Sequence, residues 1–258
     1  MKEAGVTDAA VQGPRRTHLV VAAAAGVALG LFAFVADAVA GVVGQILITL
    51  TSSGFAWGLA AFLAGRWAAT GNRAMAGASA LLVTATLFYY LLVLAVSRRW
   101  SGGTLEDGSS ADLLGLRSVA VMTALWLTGS LVAGPILGKL GHAVRTGAVE
   151  PAGSGDKATT SALAAGAGCG LLSGEGWHSV ILTPPWQVAV VDAGHAEFLR
   201  GVLIGQLIMI VLPIVVLAWL ATAHRLWRTM PVLLAAAASS GALSAVLWHL
   251  LRTAAHNL

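Results

Sequence analysis

Glu175, His178 and Ser179 stand three and four residues apart within GLLSGEGWHSVILTPPW, residues 170–186. On a helix, those offsets bring the three side chains toward one face. A carboxylate and an imidazole so placed could exchange a proton, since histidine titrates near neutral pH. The surrounding run is apolar, and an ionised group inside a membrane is costly unless it is paired, hydrated or protonated. Two readings follow. The trio is either the proton-linked polar site of an ion-coupled carrier, or a hydrogen-bonded pair with a structural duty at the edge of a wet vestibule.

Glu-x-x-His is also half of the carboxylate-bridged metal motif of helix bundles. The chain lacks the second such motif that a complete site needs, and one cysteine, Cys169, makes neither an internal disulfide nor a metal site alone. Asp192, His195 and Glu197 could hold a metal just beyond the segment. A simpler account has Asp192 and Glu197 starting the next helix, because acids are favoured at helix N-termini. No metal and no cofactor are therefore expected. Gly166, Gly170 and Gly174 recur every four residues beside Glu175, forming a bulk-free face on which another helix can approach closely.

The elements that must position these residues are membrane helices. Of 258 residues, 57% are apolar and 10% charged, and mean hydropathy is +0.83. A water-soluble domain carries roughly a quarter charged residues. A spanning helix needs about 20 mostly apolar residues, and seven candidates appear: about 19–37, 53–70, 74–96, 116–138, 159–182, 199–221 and 230–251. The expected fold is an all-α bundle of about seven transmembrane helices, a single domain over 18–253 preceded by a flexible cytoplasmic arm at 1–17. GVVGQILITL, residues 41–50, reads as an interfacial or half-inserted helix, and TSSG turns the chain and caps the second span.

Basic residues set the expected orientation. Ten of the 15 lie at one set of span ends: Lys2, Arg15, Arg16, Arg66, Arg73, Lys139, Arg145, Lys157, Arg225 and Arg228. Arg98, Arg99, Arg117, Arg200 and Arg252 lie at the other. This bias puts the N-terminus inside and the C-terminus outside a bacterial cytoplasmic membrane. A competing reading of the first span is a secretory signal, with Arg15 and Arg16 before an apolar core and AVA at 38–40. The segments 97–112 and 146–158 read as short polar loops. AAFLAGRW (60–67) and AGPILGKL (133–140) echo each other faintly, as internal repeats of carriers do.

Other polar residues carry weaker expectations. Arg66 should snorkel to the interface, and Asp37 should meet water at the end of the first span. Trp57, Trp67, Trp100, Trp186, Trp227 and Trp248 fall near predicted span ends, as interfacial anchors do. Tyr89 and Tyr90 either donate hydrogen bonds inside the bundle or simply pack. Gln206 and Pro213 suggest a polar contact and a kink. The chain has no zinc-protease motif, phosphate-binding loop or nucleophile elbow, so no enzyme activity is expected. Its basic residues are scattered, which excludes a nucleic-acid surface.

FLAGRW (62–67), GPILGKLG (134–141) and LLSGEGWHSVI (171–181), in that order, resemble an actinobacterial family of small multi-pass membrane proteins, a domain of unknown function. The resemblance runs from about residue 19 to 252. It implies a multi-pass fold and no particular reaction or ligand. The expected function is that of a small-solute or ion carrier, or a transport-accessory protein, with an outward-facing cavity floored by Glu175 and His178. The alternative is a partner-binding or structural subunit. Expected partners are the lipid bilayer and an unknown membrane protein or small solute.

Overall fold

The structure, a computed structural model, describes residues 7–147, 155–182, 184, 186 and 193–256. Those residues form α1 (Thr7–Ala36), α2 (Gly41–Ser52), α3 (Gly54–Trp67), α4 (Gly71–Leu92), α5 (Asp112–Thr146), α6 (Gly155–Leu182), α7 (Ala193–Ala223) and α8 (Met230–His256). A π-helical turn, Val93–Ser97, extends α4, and a 3-10 turn, Leu226–Thr229, leads into α8. The all-α expectation holds: among the described residues, β pairing is limited to one isolated bridge, Thr104 to Ser110.

Five helices are long and apolar enough to cross a membrane: α1, α4 with its π turn, α5, α7 and α8. Their outward faces carry Leu31, Phe32, Leu131, Val132, Ile214, Val215, Leu243 and Val246, each at least 45% exposed. Apolar surface on that scale belongs against lipid, not water. The chain is a multi-pass membrane protein. α1 begins at Thr7, so helix extends into the segment expected to be a flexible arm.

Two predicted spans are revised. The 159–182 span corresponds to α6, which is 28 residues long but not among the five apolar helices. It packs on α8, α7, α5 and α3, and most of its residues from Ser161 to Ser179 are buried. A helix walled off from lipid by protein can carry glycine, serine, glutamate and histidine, because its solvent is other side chains.

The predicted span at 53–70 is the 14-residue α3, about 21 Å long at 1.5 Å per residue. That is short of a hydrocarbon layer about 30 Å thick. α2 supplies the rest. The two helices meet at Ser53 with a bend of 59°, which preserves their common direction. Trp57, in the first turn of α3, stacks on Trp126, fourteen residues into the 35-residue α5. Ala68, just after α3, accepts bonds from His142 and Arg145 in the last turns of α5. α3 therefore covers only the second half of the crossing. α2 covers the first, packed on α7 with Val42 and Gln45 near Gly201, and Thr49 near Gly205. The TSSG stretch is thus a 59° bend between two helices that together have the length and composition of one span.

The remaining packing uses small residues. His18 lies beside Gly77, Gly30 beside Ala85 and Tyr89, and Asp37 beside Tyr89, so α1 and α4 run parallel. The two echoing segments meet: Gly65 packs directly on the Gly138 backbone, and Gly141 on that of Phe62. Phe62 itself is fully buried in the core with Leu82, Leu137, Val144, Cys169 and Leu233. Asp37 and Arg66 mark opposite faces of the bundle.

Candidate functional site

The break at Ser53 leaves the first N–H groups of α3 without intrahelical partners, and Ser53 and Phe55 are buried in the bundle. Two side chains supply acceptors. Ser53 Oγ takes the Phe55 N–H at 3.3 Å, a local N-cap. Glu175 Oε2, from 121 residues away, takes the Gly54 N–H at 3.0 Å. A carboxylate at this position also meets the positive end of the α3 dipole. Arg252 Nη2 donates to Glu175 Oε1 at 3.4 Å and to Ser179 Oγ at 3.5 Å. The Glu175 side chain is 8% exposed and that of Arg252 is 44% exposed, so the arginine reaches in from the surface.

This arrangement corrects the expected pairing of Glu175 with His178. His178 turns to α8, where its Nε2 lies 3.4 Å from His249 Nδ1. His178 Nδ1 is buried with no partner among the described residues. The offset of three brings both residues to the interior, where Glu175 meets Gly54 and Arg252 while His178 meets His249, one turn before Arg252 on α8. Ser179 joins Glu175 only through Arg252.

Gly166, Gly170 and Gly174 meet α8 in register. They sit against Leu233 and Ala236, against Ala237 and Ser240, and against Ser244 and Ala245, respectively. A Cβ on any of the three would strike α8 backbone or a serine side chain. The seam therefore brings α8 close enough for His249 and Arg252 to reach the Glu175 neighbourhood. Ser244 adds a hydrogen bond from its Oγ to the Leu171 carbonyl at 2.9 Å.

On the other side of the break lies a cavity of about 130 Å³. Its wall includes Thr51 and Ser52 at the end of α2, Trp57 of α3, Asp37 just after α1, Tyr89 and Tyr90 of α4, and Trp126 of α5. Glu175 and His178 do not line it. Trp57 Nε1 donates to the Thr51 carbonyl across the break at 2.7 Å. Its ring lies 6.4 Å from that of Trp126 in a stacked pose, and 6.5 Å from that of Tyr89, edge-on. Tyr89 Oη donates to Asp37 Oδ2 at 2.9 Å, and Arg99 Nη1 reaches the same oxygen at 2.9 Å.

Several expected roles change accordingly. Trp57 and Trp248 are half-buried and pack within the bundle: Trp248 lies 6.4 Å from Trp126 and covers Gly54. Both stand at the level of the break because α3 starts inside the bundle. Trp67 and Trp186 do lie on the outside, 73% and 71% exposed. Asp37 is paired, not simply hydrated. Arg66 sits over the Trp219 ring at 5.0 Å and meets His224 Nε2 at 2.9 Å, instead of snorkelling alone. Gln206 Oε1 is buried without a partner among the described residues. Asp192 and the side chain of His195 fall outside the described residues, and no group of His, Cys, Asp and Glu suited to a metal occurs among those described.

Asp37, Arg252, His249 and Trp126 are the participants that sequence reasoning missed. Two signals pointed to the break: the TSSG turn and cap, and length, since α2 and α3 together give about 39 Å and each alone is too short. Compared with known proteins, the chain matches no family model, no curated protein and no solved structure.

Proposed function

We propose that the protein is a carrier or transport-accessory protein of the bacterial cytoplasmic membrane whose cavity opens toward the outer side, at the Asp37 face. One observation carries this reading: a crossing helix broken at Ser53 beside a cavity of about 130 Å³. Irregular backbone at membrane depth is tolerated where it is buried in protein or lines a cavity. Carriers hold their solutes at such breaks, where helix ends point into the site. The bias of ten basic residues to five supports an N-terminus inside and a C-terminus outside. Counting the bent pair and α6 as crossings gives seven passes, which agrees with termini on opposite sides.

Glu175 sets the geometry of the break from behind, by holding the start of α3. The rival reading, a subunit that docks partners through its glycine face, is weakened because Gly166, Gly170 and Gly174 are already occupied by α8.

The test needs no identified solute. Ser52→Cys in a Cys169→Ala background puts one thiol on the cavity wall. A carrier alternates access, so a membrane-impermeant maleimide should label that thiol in right-side-out vesicles and, at a lower rate, in inverted ones. Labelling from one side alone would show a fixed vestibule and favour the structural-subunit reading.

A further inference from the structure

We infer that the cavity beside the break is a binding site for a small organic cation, an alkylated ammonium group. The inference deepens the carrier reading and rests on it for treating the cavity as a ligand site. The wall is built from aromatic rings and negative ends. Trp57 and Tyr89 are set at 86° to each other, and Tyr89 and Tyr90 at 84°. With Trp126, they put four aromatic side chains on the wall of one cavity. The face of an aromatic ring attracts cations, Trp most strongly, and cages of such rings are the recurrent solution for quaternary ammonium ligands.

Two further features have the same sign. The α2 helix ends at the cavity with Thr51 and Ser52, presenting the negative end of its dipole. Asp37 lines the cavity with its side chain only 12% exposed. Tyr89 and Arg99 both bond its Oδ2, which leaves Oδ1 for another partner. A cation gains from both features, and a neutral solute would gain little from them. A hard metal cation asks for a shell of about six or more oxygens, which a wall of ring carbons does not provide.

Size agrees. An engineered apolar cavity of about 150 Å³ takes a benzene ring, so about 130 Å³ admits a group of roughly five or six heavy atoms. Arg99, 49% exposed, is then a resident competitor. Its guanidinium occupies the carboxylate from the solvent side, and a ligand cation must share Asp37 with it or displace it.

The experiment is calorimetric titration of the purified full chain with tetramethylammonium, with choline, and with 3,3-dimethylbutan-1-ol, the uncharged isostere of choline. Both cations should bind, with the neutral isostere at least about tenfold weaker, since a desolvated cation–π contact is worth that factor or more. Asp37→Asn should weaken choline binding by a similar factor. Arg99→Ala should tighten it, a gain that misfolding cannot mimic. Equal affinity for choline and its isostere, no binding of either cation, or an unchanged Asp37→Asn variant would each overturn the inference. The carrier reading is tested separately. Choline binding with one-sided thiol access sinks transport and keeps the site, whereas two-sided access without choline binding does the reverse.

Discussion

The two sides of the Ser53 break are built on opposite plans. On the α6–α8 side, glycines bring backbones together, and Glu175 and Ser244 find partners across the short gap. On the α1–α4 side, large rings meet in T-shaped and stacked pairs and line a cavity of about 130 Å³. Close packing and open space are thus separated by a single bent crossing. The residue with the most obvious chemistry, Glu175, belongs to the packed side. Its carboxylate completes a helix end, while the space for a ligand lies opposite, among residues that look like anchors.

Adding bulk should break this comparison most sharply. Gly170→Leu forces a side chain into the Ala237 carbonyl and Ser240. Overpacking against a backbone that cannot retreat costs about 3 kcal/mol or more, so monodisperse protein in detergent should be lost. Ala33→Val, on the cavity wall, should leave the melting temperature unchanged or slightly raised, because cavity filling is often stabilising. Equal damage from both would mean that the two sides do not differ in packing.

A smaller effect should separate Glu175 as a cap from Glu175 as a charge. Glu175→Ala leaves the Gly54 N–H without its acceptor, a loss of about 1–3 kcal/mol. Glu175→Gln keeps an acceptor oxygen and should cost less than about 1 kcal/mol. Thermal unfolding of the two variants measures the gap. If they are equally destabilised, the Arg252 ion pair matters more than the cap.

The smallest effect lies outside both regions. In the loop at the Asp37 face, Ser109 donates its N–H and its hydroxyl to Asp107 Oδ1, which holds that exposed carboxyl below its ordinary range. A depressed folded value contributes stability above the unfolded pKa, near 3.9, and that contribution fades as pH falls through the folded value. The difference between wild type and Asp107→Asn should therefore be small at neutral pH and vanish in strong acid. Maleimide labelling at Ser52→Cys should be indifferent to the Asp107 change.

Much of the architecture is written in runs of residues. Charge content and seven apolar stretches suffice for an all-α membrane bundle, because lipid admits few alternatives to helices. The four-residue spacing of Gly166, Gly170 and Gly174 marks a close helix contact for an equally local reason, since it follows from helical periodicity. Arg66, Trp57 and Asp37 resist such reading. Each sits near the end of an apolar run, and position in a run does not say whether a neighbour covers it.

What the sequence determined by itself was the class of protein, the helices and the face of α6 that packs. Which helix meets that face, that α2 and α3 share one crossing, and that Glu175 serves the start of α3 were decided only in three dimensions. The physical reason is range. Hydropathy and periodicity act within one helix, whereas the Gly54–Glu175 bond and the Asp37–Tyr89–Arg99 cluster join residues many turns apart. Their partners are set by how the whole bundle closes around the shielded α6.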